Sequence, residues 1–320
     1  MLNDSPFPIV REGFFMYEYY QNFNEGLLVS KLLKPIFVLN PLILHFFMRI
    51  IGVLFIAAFF ASCTSDFGKV LKSTDYDYKL KKANEYFDKK KYKNAEQLYV
   101  ELFPVYKGTE KFEELYYKYA FCSYYQKNYA DAENLFKGFL DVFPNSSKAE
   151  EIAYLHAYTF YLQSPKIELE QVNTAKAIGM MQTFINNYPG SSRIKDATGV
   201  IDACRSKLEI KEYKNAELYY NLQQYRAAGI AFTDLLNNYP ESAKGDEYKL
   251  MILKSYYQFA KLSVSEKQQE RFEKVIDEYN DFTDRYPESK ILKEAQVYNN
   301  LSLNHIKELK NEQAKTSTER

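Results

Sequence analysis

Hydrophobic positions along this chain are organised by a recurring aromatic–proline pair. Phe103-Pro104, Phe143-Pro144, Tyr188-Pro189, Tyr239-Pro240 and Tyr286-Pro287 place successive prolines 40, 45, 51 and 47 residues apart. Proline cannot continue a helix, so each pair reads as the end of a unit, and a period of this length is that of stacked helix pairs. Small residues sit at fixed distances inside the units, where closely crossing helices need them. Ala120, Ala132, Phe136 and Pro144 are 12, 4 and 8 positions apart. Ala216, Ala228, Phe232 and Pro240 repeat that spacing, while Ala83, Ala95 and Tyr99 repeat its first part, with Pro104 three residues early. Turn residues follow most of the prolines: Asn145-Ser146, Gly190-Ser191, Glu241-Ser242 and Glu288-Ser289. A serine there can cap the next helix by accepting an orphan backbone N–H.

These spacings resemble the tetratricopeptide repeat, in which a small residue in the first helix is followed by an aromatic and an Ala entering the second, then an aromatic and a terminal Pro. The third unit has Ala157 and Ala177, with a longer inter-helix turn that includes Gln163-Ser164-Pro165-Lys166. The fifth is read as a helix near Lys249–Leu262, a polar turn over Ser263–Gln269, and a helix over Phe272–Tyr286. The expected fold is therefore all-α. It is an α-solenoid of about five tetratricopeptide-like helix pairs over 76–310, closed by a capping helix at 289–310, with a disordered tail over 311–320.

A different pattern precedes the repeats. Met48-Arg49 opens a short apolar run that ends in Ala61-Ser62-Cys63. One positive charge, an apolar run of secretory length and small residues before a cysteine are what an export signal needs. Ile50–Phe60 is too short to span a bilayer, which takes about 20 residues. Joining Pro35–Ser62 into one anchor would bury Arg49, at a cost of roughly 2.5–3.5 kcal/mol. Ala61-Ser62-Cys63 resembles a lipobox, with Phe60 in place of the usual Leu or Val. On this reading residues 48–62 are a lipoprotein signal peptide, Cys63 is lipidated, and 63–75 tether the lipid to the stack. Residues 1–47 are then upstream sequence translated from an early Met.

Composition narrows the function. The 42 basic and 42 acidic residues are interspersed, which gives no field to attract nucleic acid. There are 30 Tyr and 24 Phe against no Trp, 11 Gly and 10 Pro, a balance that favours helices. Cys122 and Cys204 read as buried small hydrophobes. With three His in the chain, neither His156 nor His305 has a partner at metal-ligand spacing. No phosphate loop, GxSxG elbow or HExxH motif is present. The expectation is a protein that is not an enzyme and uses no metal or cofactor.

A lipobox ahead of five such repeats resembles the BamD family, lipoproteins of the outer-membrane β-barrel assembly machinery. The resemblance rests on Phe143-Pro144-Asn145-Ser146, Tyr188-Pro189-Gly190-Ser191, the helix Ala153–Tyr161, and the long third turn from Ser164-Pro165 to Thr174, and it covers about residues 63–310. It implies a scaffold anchored by lipid at the periplasmic face of the outer membrane. Its N-terminal repeats would receive the C-terminal targeting strands of unfolded outer-membrane proteins. Its C-terminal repeats, within 213–310, would hold a POTRA domain of a BamA-like barrel protein.

In tetratricopeptide arrays the first helix of each pair lines a groove. Mapping from the small residues gives Phe87, Tyr117, Phe121, Tyr124, Tyr154 and Tyr158 as the candidate peptide-binding set, with Asn84, Tyr161, Tyr213 and Tyr220 nearby. Tyrosine suits an extended peptide because it offers a large apolar face, a polar tip and few rotamers to freeze. Leu80 stands where a carboxylate-clamping repeat would carry Lys. Two other readings share part of this pattern, a general envelope scaffold for peptidoglycan or cell division and a short glycan-binding lipoprotein of the SusD type. The anchor is tested by Cys63→Ala: outer-membrane fractionation should be lost, and an unchanged distribution would remove the lipoprotein reading.

Overall fold

A computed structural model describes residues 66–318, and the expectations for residues 1–65, including the signal peptide and lipidation of Cys63, lie outside them. The chain divides into two compact units at Lys72/Ser73. In the first, the described residues form a short helix, α1 (Asp66–Leu71), where the sequence suggested a flexible tether. Asp66 in its first turn complements the helix dipole.

The second unit is eleven helices among the described residues. They form five antiparallel pairs and a last helix: α2 (Tyr76–Asp88) with α3 (Tyr92–Tyr106), α4 (Phe112–Tyr125) with α5 (Tyr129–Val142), α6 (Ala149–Leu162) with α7 (Val172–Asn187), α8 (Ile194–Asn221) with α9 (Tyr225–Asn238), α10 (Gly245–Lys261) with α11 (Ser265–Arg285), and α12 (Leu292–Thr318). Each helix packs on its neighbours in the chain, which is the arrangement of an α-solenoid. No described helix is long and apolar enough to cross a membrane.

The small residues mark the helix crossings. Ala83, Ala95, Ala120, Ala132, Ala157, Ala177, Ala216 and Ala228 are all fully buried. Around them pack the large apolar side chains, among them Tyr99, Phe136, Phe139, Phe232 and Met181, each with no measurable exposure. Only side chains this small let one backbone lie against the next at the distances of close helix packing. Cys122 and Cys204 are free and buried in the same layers.

The serines after the prolines do more than cap. Ser146, Ser191, Ser242 and Ser289 each accept a hydrogen bond from the backbone N–H two residues on, at 3.0–3.2 Å. Each hydroxyl also donates to an acid on the first helix of the preceding pair. Ser146 reaches Glu113 at 2.7 Å, Ser191 reaches Glu150 at 2.5 Å, Ser289 reaches Asp246 at 2.6 Å, and Ser242 reaches Glu209. Glu113, Glu150 and Glu209 lie seven positions before Ala120, Ala157 and Ala216 respectively, so the bond recurs in register. The first pair substitutes Tyr106, whose phenol donates to Asp77 at 2.8 Å.

Three turns inside the pairs share another device. Lys90, Lys127 and Gln223 hold φ of 58°, 63° and 60°. The N–H of each bonds back to Phe87, Tyr124 or Tyr220, and the next N–H reaches Tyr86, Ser123 or Tyr219. This is the Schellman ending, which glycine usually supplies. Here non-glycine residues tolerate the left-handed conformation three times.

Several boundaries differ from those expected. Pro104 does not end its helix; α3 continues to Tyr106, because the missing N–H of the proline frees a single carbonyl, that of Val100, which lies on an exposed side of the helix. The polar stretch Ser263–Gln269 belongs mostly to the first turn of α11. Gln268 bonds the carbonyls of Lys261 and Ser263 there, which shortens the connection. The 51-residue spacing before Pro240 is absorbed by α8, which is 28 residues long. Helix α12 runs into the segment expected to be disordered, since Ile306 is buried and Leu309 packs on the last core.

At both ends of the array a lysine crosses between the helices of a pair. Lys79 bonds Glu101 at 2.6 Å, and Lys249, with its side chain 4 % exposed, is held between Glu278 and Asp281. Removing one inter-pair serine should be felt locally: Ser191→Ala is expected to cost about 1 kcal/mol, seen in thermal melts as a drop of about 2–4 °C.

Candidate functional site

The six residues expected to bind peptide lie on α2, α4 and α6, the first helices of the first three pairs. On α4, Tyr117, Phe121 and Tyr124 follow one stripe, and their rings touch in sequence: Tyr117–Phe121 at 4.5 Å between centroids and Phe121–Tyr124 at 6.2 Å. Phe87 of α2 joins this stripe through Tyr125, at 6.4 Å. On α6, Tyr154 and Tyr158 stack at 5.8 Å, and Tyr158 meets Tyr161 at 5.4 Å. The Tyr117 phenol bridges the two sets by donating to Glu151 of α6 at 2.9 Å.

Burial separates the six into two roles. Phe121 is 5 % exposed and Tyr154 8 %, so both rings chiefly pack the array. Phe121 lies edge-on to Phe136 of α5 at 5.6 Å, and Tyr154 edge-on to Phe184 of α7 at 5.5 Å. Phe87, Tyr117, Tyr124 and Tyr158 are half-buried, with part of each ring open. The most open aromatic of the stripe is Tyr125, 46 % exposed and stacked on Tyr92 at 4.7 Å. Neither Tyr125 nor Tyr92 was among the expected residues. Tyr125 was findable, for it stands four and eight positions after Phe121 and Tyr117, on the same face of the helix. Tyr92 opens a second helix, and only the fold brings it to this face.

Cations lie over three of the rings. Lys118 is 5.7 Å from the Phe87 ring centre, Lys148 is 4.9 Å from Tyr117, and Arg193 is 5.0 Å from Tyr154. In each case the cation belongs to the pair that follows its ring. Their charges are balanced by acids on the same face: Glu114 pairs with Lys118 at 3.6 Å and Lys148 at 2.5 Å, and Glu151 pairs with Arg193 at 3.6 Å. Lys118 also donates to Asn84 at 3.1 Å. The surface is thus aromatic, laced with paired charge and free of a dominant sign. Along α2 it opens into a depression of about 500 Å³ past Leu80 and Asn84.

The phenols on this face stay protonated. Burial raises that of Tyr117, and its bond to Glu151 adds to the shift. Burial pushes Tyr124 up to about 12, with Tyr158, Tyr129, Tyr125 and Tyr154 close enough to contribute. Tyr154 and Tyr158 are raised for the same first reason. Each phenol therefore remains a neutral hydrogen-bond donor beside an apolar ring.

The other residues singled out have local roles. Tyr213 packs on Phe232 within the fourth pair and on Tyr248 of α10 in the fifth, and Tyr220 packs on Tyr225 within the fourth pair. His156 is buried, with Nε2 3.1 Å from Glu133 and its ring against Phe160. His305 stacks on Phe272 at 4.8 Å. Among the described residues no group of three or more His, Cys, Asp or Glu side chains is placed to hold a metal ion.

The family model for YfiO, described as an outer membrane lipoprotein, matches residues 77–272. No curated protein matches the chain. Among solved structures, the complex of the TPR2AB domain of yeast Sti1 with pHSP90 is similar at 10 % identity, over 71 % of this chain and 98 % of that one, with a TM-score of 0.34.

Core and surface rings of the stripe should separate in thermal melts. Phe121→Ala is expected to lose about 3–5 kcal/mol through the cavity it leaves. Tyr125→Ala, at an open position, should leave the melting temperature nearly unchanged.

Proposed function

We propose a function from one premise: the chain belongs to the YfiO family of outer membrane lipoproteins, the BamD family that its sequence resembles. The protein is a non-enzymatic scaffold of the β-barrel assembly machinery, anchored through lipid on Cys63 at the periplasmic face of the outer membrane. Its first three helix pairs receive the C-terminal strands of unfolded outer-membrane proteins. Its last two hold the POTRA-bearing barrel component.

The observation that carries the client-binding part is the aromatic face running from α2 to α6. An extended strand ending in an aromatic residue can lay that ring on Tyr92 and Tyr125, where edge and stacked contacts add about 0.5–1.5 kcal/mol beyond buried area. Phenols of Tyr124 and Tyr158, and the amide of Asn84, are at hand for the strand's backbone, whose polar groups must be paired once covered. Phe121 and Tyr154 support this surface from beneath. Paired rather than free cations suit a face that takes many different strands, because no single charged side chain is required of the client.

For the barrel component, the C-terminal pairs offer a separate surface. A depression of about 650 Å³ lies between α9, α10 and α11, with Arg226, Ile230, Phe259 and Arg271 in its lining. Leu222, Ile230, Leu262 and Val264 are 47–68 % exposed on the same two pairs. Phe259 with Arg271 laid over its ring at 4.0 Å is the aromatic and arginine combination that protein interfaces enrich.

The decisive experiment is affinity purification from gently solubilised envelope, paired with peptide titration. A POTRA-bearing barrel protein should co-purify in stoichiometric amount, and peptides ending in an aromatic strand should bind the wild type. The double change Tyr92→Ala/Tyr125→Ala should weaken that binding at least tenfold while helical circular dichroism is kept and the melt falls by only a few degrees. Recovery of peptidoglycan or division proteins in place of the barrel protein would move the function to a general envelope scaffold.

A further inference from the structure

Helix α8 is longer than the repeat requires. Glu209 and Ala216 occupy the positions that Glu113 and Ala120 hold in α4, so the repeat's own helix begins near Glu209. Residues 194–208 extend it backwards. The extension is buried through Ala197, Val200, Ile201 and Cys204, where α8 lies on α7. The repeat portion joins the core of α9 and α10 through Ala216. Between Cys204 and Ala216 no side chain of α8 is buried. The Tyr213 ring is only partly buried there and packs toward the fourth and fifth pairs, on Phe232 and Tyr248, while polar contacts grip the stretch on two sides.

On one side stand Lys207, Lys211 and Lys214, spaced by four and three along one helix face. All three reach back to the long turn of the third pair. Lys207 Nζ donates to Ser164 Oγ at 2.7 Å, Lys211 Nζ to the Leu169 carbonyl at 2.5 Å, and Lys214 Nζ to Glu168 Oε1 at 3.3 Å. The turn is itself braced to receive them. Buried Gln171 donates to the carbonyls of Lys166 and Leu169 at 2.7 and 2.9 Å and accepts from Thr174 at 2.7 Å. On the other side Glu209 accepts from Ser242 and Tyr248, and Glu212 accepts from Tyr239 and Asn238, both at 3.1 Å.

We propose that this clasp sets the angle between two modules, helix pairs one to three and helix pairs four and five. Lys207, Lys211 and Lys214 are its positioning residues. The inference goes beyond the assembly reading, since it holds whatever each module binds. A helix stretch with no fully buried side chain is held less firmly by apolar packing than its two ends, so the contacts that grip its polar faces add to what fixes its direction against the third pair. The extra length of the third turn supplies acceptors that a short turn would not bring within a lysine's reach. Lys214–Glu168 is an exposed ion pair and contributes least. Lys207 and Lys211 make charge-assisted bonds to neutral acceptors of a braced loop and contribute most.

The test is single-molecule energy transfer on the full chain, with non-cysteine labels at exposed Lys137 of α5 and exposed Glu266 of α11. The wild type should give one narrow distance distribution. Changing all three lysines to Met, which keeps the aliphatic stems, should at least double its width while helical circular dichroism is unchanged. Changing them to Arg should restore the narrow distribution. Gln171→Ala, which loosens the turn and leaves α8 intact, should broaden it as the Met variant does. An unchanged width in the Met variant overturns the proposal, as does broadening that Arg fails to reverse or that arrives only with loss of helix.

Discussion

The close crossing of helices at small buried residues, tied each time by a serine hydroxyl to an acid one pair earlier, is the constraint on which the array depends. A stack of helix pairs has no sheet to set its register, so close-packed crossings and polar ties must set it together. Each of these serines ties the start of one pair to the first helix of the pair before it, while the backbone N–H two residues on ties the same oxygen to its own helix. Because the acid keeps its distance from the small residue at the crossing, the polar tie and the close helix approach are fixed together. Where the acid is Glu209, inside α8, the register survives an extension of the helix in front of it.

That fixed register is what makes a surface out of separate rings. Aromatic residues at one helix position would be isolated patches if the pairs were free to rotate. Held in step, those of α2, α4 and α6 run together, and each following pair lays a cation over a ring of the one before. The cations and their glutamates shield part of the aromatic face while leaving Tyr92, Tyr125, Tyr124 and Tyr158 open. A surface of this kind offers ring area and hydrogen-bonding phenols in place of one dominant charge. This is the feature behind the proposed role in receiving many different strands, in a member of an outer membrane lipoprotein family.

The array is also not uniform along its length. Pairs two to five repeat the serine tie, yet the third turn and α8 depart from the common plan together. One provides acceptors, the other lysines at matching spacing. Two departures from a repeat that complete each other are a joint between modules, placed where the aromatic face ends and the C-terminal surface begins.

Much of this was legible from residue spacing alone. Helix pairs, their number and the alanines at their crossings follow from the period of the aromatic–proline pairs, because helix packing admits only small side chains at close approach. The helical stripe Tyr117, Phe121, Tyr124 was legible for the same reason. Three things were decided only by tertiary structure. Burial divides that stripe into support and surface, since which ring is covered depends on the helices laid against it. The serine's second bond, the Tyr92 ring and the lysine clasp all join residues far apart in sequence, and no local pattern records such partners. Lys90, Lys127 and Gln223 adopt left-handed turns without glycine because the paired helices on either side impose the reversal. Sequence by itself determined what each helix is and how often it recurs. The packed array decided which of its faces are left open, because exposure belongs to the neighbours of a residue and not to the residue.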